Sequence, residues 1–152
     1  MDLKSLFEEY KHQIEKLLPA ADIQHVGGSS IPGAITKGDL DIQIRIRLED
    51  MEAAITALDT IFERKHEELW NKNFAIFVDR KVEPSTDIMI SVIDSAYDTF
   101  FRVRDLLIAD AGLLEKYNEL KKKYAAEPYA IFSKHKRAFF DELFETHLDL
   151  ES

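Results

Sequence analysis

Cysteine is absent from this 152-residue chain, and its absence excludes disulfides, zinc-thiolate clusters and a thiol nucleophile. Any metal must then be held by Asp, Glu, His or backbone oxygen. No apolar run approaches the roughly 20 residues of a membrane span. The N-terminal stretch MDLKSLFEEYKHQIEKLL is amphipathic and dense in charges, unlike a basic start with an apolar run. The expected address is the cytoplasm, with no membrane partner. Gly/Ser/Pro-rich linkers, repeats and low-complexity segments are missing too, so a single domain is expected over 1–152, with a sheet-bearing core at about 1–95 and a helical portion at about 96–150. Basic residues are the minority: 20 Lys and Arg stand against 29 Asp and Glu, a formal net charge of -9. That balance disfavours a long nucleic acid as partner, because such binding comes mostly from cationic side chains. The densest basic runs, Lys121, Lys122, Lys123 and Lys134, Lys136, Arg137, read as solvated helix faces or as the wall of a local cationic pocket.

What is present has clear periodicity. Leu3, Leu6, Phe7, Tyr10, Ile14, Leu17 and Leu18 recur at helical spacing, predicting a helix over about 2–18 that Pro19 stops. Strands are expected over about 22–26 and about 39–46. In the second, Leu40, Ile42, Ile44 and Ile46 share one face and Asp39, Asp41, Gln43 and Arg45 the other. Helical spacing returns over about 49–62. Strands are expected at about 69–70, 74–78 and 88–93, separated by turn-like stretches at about 71–73 and 79–85. After Ser95 the period is helical, predicting helices over about 98–109, 113–125 and 131–147, with breaks marked by Gly112 and Pro128. This order predicts an α+β fold, a mixed β-sheet flanked by helices with a helical C-terminal layer.

The stretch HVGGSSIPGAITKGDLDIQI carries the chemistry. Asp is disfavoured in strands, yet Asp39 and Asp41 sit at a strand start on one face, where their carboxylates repel unless a cation lies between them. Oxygen ligands from a few carboxylates, completed by water and phosphate, suit Mg²⁺. Asp87, at the head of DIMISVID, is the candidate third carboxylate. Gly27 and Gly28 allow close backbone approach to a ligand, and exposed N–H groups with the Ser29 and Ser30 hydroxyls are suited to phosphate oxygens. Pro32-Gly33 makes the return turn, and Lys37 supplies a nearby positive charge. Each feature alone has a plainer reading: the turn as a connection, the aspartates as a solvated strand edge, Asp87 as a cap, His25 as a half-buried strand residue.

Taken together, Gly28-Ser29, nine residues, then Asp39-Leu40-Asp41-Ile42 resembles the motif of the polymerase-beta-type nucleotidyltransferase superfamily. More narrowly, His25, Val26, Gly28, Ser29, Pro32, Gly33, Lys37, Asp41 and Ile42 are similar to the hallmark of its GrpB-like family. Phe101-Arg102 with Asp105-Leu106, Tyr117 with Leu120-Lys121, and Phe132, Lys136 and Phe139 extend the similarity through the helical half. Two places depart from the GrpB-like pattern, which carries an apolar residue at the position of Asp39 and a His-x-His pair at the positions of Asp87 and Met89. Both departures move the chain toward three carboxylates.

The resemblance implies a nucleotidyltransferase-like sheet and transfer of a nucleoside monophosphate from an NTP to a small-molecule or protein hydroxyl or amine. It makes Asp39, Asp41 and Asp87 the catalytic residues and ligands of Mg²⁺ or Mn²⁺, with Asp87 alternatively a base. Gly28, Ser29, Ser30, Lys37, Arg102 and Lys136 would hold the nucleotide, Arg102, Lys121 and Lys136 reaching the phosphates from the helical layer. Two other readings stay open: a catalytically inactive nucleotide-binding module of the same fold, and a protein–protein regulator acting through its helical layer.

Overall fold

The computed structural model describes residues 2–151 except Pro84, with side chains described as far as Glu145. Pro84 belongs to the predicted 79–85 turn and lies outside the described residues. Helix α1, Leu3–Leu17, is capped by Asp2, whose carboxylate accepts from the Ser5 N–H at 2.8 Å. The strands are β1 (Asp22–Val26), β2 (Leu40–Ile46), β3 (Glu63–Arg64), β4 (Phe74–Asp79) and β5 (Thr86–Val92). Helix α2, Met51–Leu58, lies between β2 and β3, and α3 (Phe100–Ala109), α4 (Ala111–Lys123) and α5 (Tyr129–Glu151) follow the sheet. The strand order is β1-β2-β5-β4-β3, with β2 and β5 parallel and the other pairs antiparallel. This is the mixed α+β architecture that the periodicity predicts.

Alternation sorts the sheet into two faces. Leu40, Ile42, Ile44 and Ile46 of β2 are all buried and join Ile88, Ile90 and Phe77 against Tyr10 and Ile14 of α1 and Met51, Ala54 and Leu58 of α2. Fully burying each such aliphatic side chain stabilises by about 1.5–3 kcal/mol, so this face supplies the main core. On the opposite face, Val26, Phe74, Ile76 and Met89 pack beneath Trp70, Phe100 and Phe101.

A polar peg fixes the helical layer to that second face. Arg45 donates to both carboxylate oxygens of Asp98 at 2.7 and 2.8 Å and to Asp22 at 2.8 Å, and lies 4.2 Å over the Phe101 ring. Gln43, fully buried, donates to Asp98 and accepts the N–H of Phe101 at 3.1 Å. The start of α3 is thereby registered on the middle of β2.

Several boundaries differ from expectation. The predicted strand at 69–70 is instead the end of a 3-10 turn, Glu67–Leu69, and the edge strand is β3, earlier in the chain at Glu63–Arg64. Gly112 does not break the helices: it lies inside α4, and the break is Asp110, which ends α3 and caps α4 by accepting from the Leu113 N–H at 3.1 Å. The predicted 49–62 helix is shorter, confined to Met51–Leu58 after a 3-10 turn at Leu48–Asp50.

Candidate functional site

β2 and β5 bring Asp41 and Asp87 side by side, since the parallel ladder pairs Asp41 with Asp87 directly. Neighbouring strands run about 4.8 Å apart, so the two carboxyl groups leave the same face as close neighbours. Asp39 does not share the ladder. β2 begins at Leu40, and Asp39 is exposed on the loop after Gly38. Pairing with Thr86, rather than local alternation, sets where the strand starts.

Asp41 lies against the glycine turn. Gly27 has φ 79° and ψ -178°, and a Cβ there would fall 2.2 Å from Asp41 Oδ2. Only glycine lets the carboxylate rest on the backbone this way. Gly28–Ser30 continue as a short 3-10 turn. The Ser30 hydroxyl donates to the Gly27 carbonyl at 2.5 Å, and the Ser29 hydroxyl lies 3.0 Å from Nε2 of His25. Ser30 is thus bonded within the turn and Ser29 to β1. His25 is half-buried, stacked on Phe7 at 5.3 Å, and burial together with the nearby Arg104 holds its pKa below the usual value.

The charges around Asp41 are uneven. Burial foremost, then the adjacent Asp87 and Asp39, pushes its pKa up to about 6, against the pull of Lys136 and Lys65. Lys136 of α5 and Lys121 of α4 come in from the helical layer, each with its pKa lowered chiefly by burial. Lys121 donates to the Ile35 carbonyl, and its Nζ would stand 3.2 Å from a Cβ at position 28. Asn118 clasps the same loop, accepting from the Ile35 N–H at 2.8 Å and donating to the Gly33 carbonyl at 3.0 Å. A cleft of about 410 Å³ opens beside the turn, lined by Gly27, Gly28, Arg104, Lys136, Arg137 and Phe140 among others. Neither carboxylate lines it, but Gly27, which carries Asp41 on its backbone, does.

Three positions stand apart from the sequence reading. Lys37 is exposed on the loop and outside the cleft lining. Arg102 turns toward the Phe101 ring and Asp98. The arginine beside the turn is Arg104, which lines the cleft and donates to two residues of β1, to Gln24 at 2.8 Å and to the His25 carbonyl at 3.0 Å. Its signal was in the helix phase, since Arg104 falls on the same stripe as Phe100, Val103 and Leu107. Asp87 has a partner that sequence reasoning missed, for Lys65 Nζ lies 2.8 and 3.0 Å from its two oxygens. No local pattern marks Lys65, because the return of β4 alone brings it there.

A divalent cation needs several oxygen donors. Asp41 has no hydrogen bond or ion-pair partner among the described residues, and Asp39 is close enough to raise its pKa. Asp87 has both oxygens on Lys65, and no group of three or more His, Asp or Glu side chains converges on a metal position among the described residues. Asp41 is thus the carboxylate without an ion pair that a cation could meet, with Asp39 on the exposed loop preceding it and water or phosphate left to complete the shell, and the expected three-carboxylate cluster does not converge among the described residues.

No helix among the described residues is long and apolar enough to cross a membrane. The GrpB protein family pattern matches residues 2–146. A UPF0157 protein of Vibrio cholerae serotype O1 is 32% identical over 143 residues, spanning 92% of this chain and 74% of the relative. The conserved protein GrpB from Enterococcus faecalis superposes with a TM-score of 0.68 at 17% identity, over 92% of this chain and 93% of that one. The Cid1 poly(U) polymerase, solved with MgGTP bound, gives a TM-score of 0.53 at 17% identity over 83% of this chain and 42% of the polymerase. A mutant of that polymerase bound to MgATP gives 0.50 at 16% identity, over 81% and 41%. The fold is therefore nucleotidyltransferase-like, and the chain belongs to the GrpB family.

Proposed function

We propose that this protein is a Mg²⁺-dependent nucleotidyltransferase that moves a nucleoside monophosphate from an NTP to a hydroxyl or amine of a small molecule or protein. The observation that carries this reading is the in-register pair Asp41 and Asp87 beside a glycine turn, with Lys121 and Lys136 close by. Asp41 and Asp39 would hold Mg²⁺ or Mn²⁺, which when bound neutralises charge on the phosphates.

The residues of the chain do the positioning. Gly27 and Gly28 line the cleft without side chains of their own, with Asp41 packed on the first and Lys121 beside the second, and the backbone N–H groups of such a turn are suited to phosphate oxygens. Lys136, Lys121 and Arg104 place positive charge around the same turn, where burial strengthens their pull on an anion. The bond from acceptor oxygen or nitrogen to the α-phosphorus forms as the bond to the β-phosphate oxygen breaks, releasing pyrophosphate. Asp87 stands next to Asp41 as the base for the acceptor's proton. With a formal net charge of -9, a small or protein acceptor fits better than a long nucleic acid, and the reaction belongs to the cytoplasm, where NTP is abundant.

Calorimetric titration of each NTP, with and without Mg²⁺, against wild type and Asp41→Asn tests the reading. Metal-dependent binding in wild type that vanishes in the variant is expected. Equal binding in both proteins overturns it. One observation favours a second reading, a nucleotide-binding module without turnover: the Lys65–Asp87 ion pair occupies the carboxylate needed as base. Tight metal-dependent binding without pyrophosphate release, over a panel of hydroxyl and amine acceptors, would decide for the module.

A further inference from the structure

Lys65 is held from several sides before its ammonium meets Asp87. Its backbone N–H donates to the Ile76 carbonyl at 3.0 Å, and its own carbonyl accepts from Trp70 Nε1 at 3.0 Å. Trp70 is fixed in turn by the Phe77 ring at 5.3 Å and by the Arg64 guanidinium 4.8 Å over its face. The side chain is about three-quarters covered, at 23% exposure, and bidentate on a carboxylate that is itself 28% exposed. A positive charge so anchored is a fixed part of the site, unlike a solvated lysine that happens to lie near an acid.

We infer that Lys65 sets the metal count of this site: its ammonium replaces a second divalent ion on Asp87, so that the protein binds one ion, at Asp41. The inference rests on the metal-dependent reading above and narrows it. Two adjacent carboxylates in register repel, and that repulsion is relieved either by a cation shared between them or by giving each its own. Here Asp87 has its own, covalently attached to the chain, while Asp41 makes no contact ion pair among the described residues and feels Lys136 only at longer range. A bidentate ammonium covers both oxygens that a metal would need, and a metal approaching Asp87 would meet the like charge of Lys65.

The test counts Mn²⁺ ions on the full chain, by calorimetry and by electron paramagnetic resonance of free Mn²⁺, with a non-hydrolysable ATP analogue present. Wild type, Lys65→Met, Lys65→Arg and the double variant Lys65→Met/Asp87→Asn form the set. One ion is expected on wild type, a second ion on Lys65→Met with affinity gained by about tenfold or more, one on Lys65→Arg, and one again on the double variant. Two ions on wild type, or a Lys65→Met profile identical to wild type, overturns the inference and leaves the metal-dependent reading intact. No Mn²⁺ on any protein of the set removes both. Should Lys65→Met not fold by thermal melting, Asp87→Asn decides: its single ion is expected to bind within about twofold of wild type, and loss of that ion overturns the inference.

Discussion

Oδ2 of Asp41 lies 2.2 Å from the point where a side chain on residue 27 would begin, so Gly27 and Asp41 share one space. The φ of 79° and ψ of -178° at Gly27 belong to a region that is essentially glycine-only. Gly27→Ala is therefore expected to cost on the order of 1–3 kcal/mol in backbone strain and to push the carboxylate off the turn. Chemical denaturation reads the first effect and metal-dependent nucleotide binding the second. An alanine variant matching wild type in both would contradict this packing.

Asp41 gives the protein a pH signature. Its folded pKa of about 6 lies above the ordinary carboxylate value of 3.8, mainly through burial. The native state therefore keeps a proton that the unfolded chain has released, and stability falls as pH rises between those values. Asp41→Asn lacks this loss: it should match wild type near pH 3.5 and exceed it above pH 6.5, by on the order of 1–3 kcal/mol. Adding Mg²⁺ at neutral pH should raise the melting temperature of wild type and leave the variant unmoved. Parallel stability profiles for the two proteins across this range would rule the signature out.

The Arg45–Asp98 peg behaves in the opposite sense. Burial raises the Asp98 carboxyl, but Arg45 and the Asp94 N–H outweigh it and hold its pKa below the usual value. Its contribution is present above the ordinary carboxylate range and lost as pH falls through the lowered folded value. Asp98→Ala leaves Arg45 and Gln43 without their main partner and is expected to cost about 3–5 kcal/mol. Urea denaturation measures it, and a cost under about 1 kcal/mol, the value of an exposed pair, would refute the role of the peg.

Arg104 and Arg102 separate the cleft from its surroundings. Arg104→Ala removes two hydrogen bonds to β1 and a charge from the cleft wall, and should weaken NTP binding by about tenfold, the worth of a charged hydrogen bond. Arg102→Ala should change it by less than about twofold. The reverse ranking, read by calorimetry, would put the nucleotide elsewhere.

Much of the fold was legible because period and face follow directly from burial. β1 was placed to the residue, and the alternation in β2 correctly assigned Leu40, Ile42, Ile44 and Ile46 to the core. What failed was decided at a distance. Leu69 and Trp70 have strand-like side chains, yet Trp70 is drawn onto Phe77 and Arg64, and the true edge strand, two exposed charged residues, has no period to detect. Asp41 is legible from its motif and Asp87 from its place at the head of DIMISVID, but the ammonium on Asp87 is not. Lys65 and Asp87 meet only because β4 folds back antiparallel between them in sequence and beside both in space.

The parallel pairing of β2 with β5 also has a consequence for birth on the ribosome. The central partner of β2 is the last strand to be synthesised, so residues 40–46 emerge with one side hydrogen-bonded to β1 and the other a bare ladder rich in isoleucine. Until residues 86–92 leave the exit tunnel, that ladder is open to any extended chain that passes, and pairing across so long an intervening segment is slow. The nascent protein therefore spends its most aggregation-prone interval with the acidic half-site already formed on one strand and its counterpart not yet made.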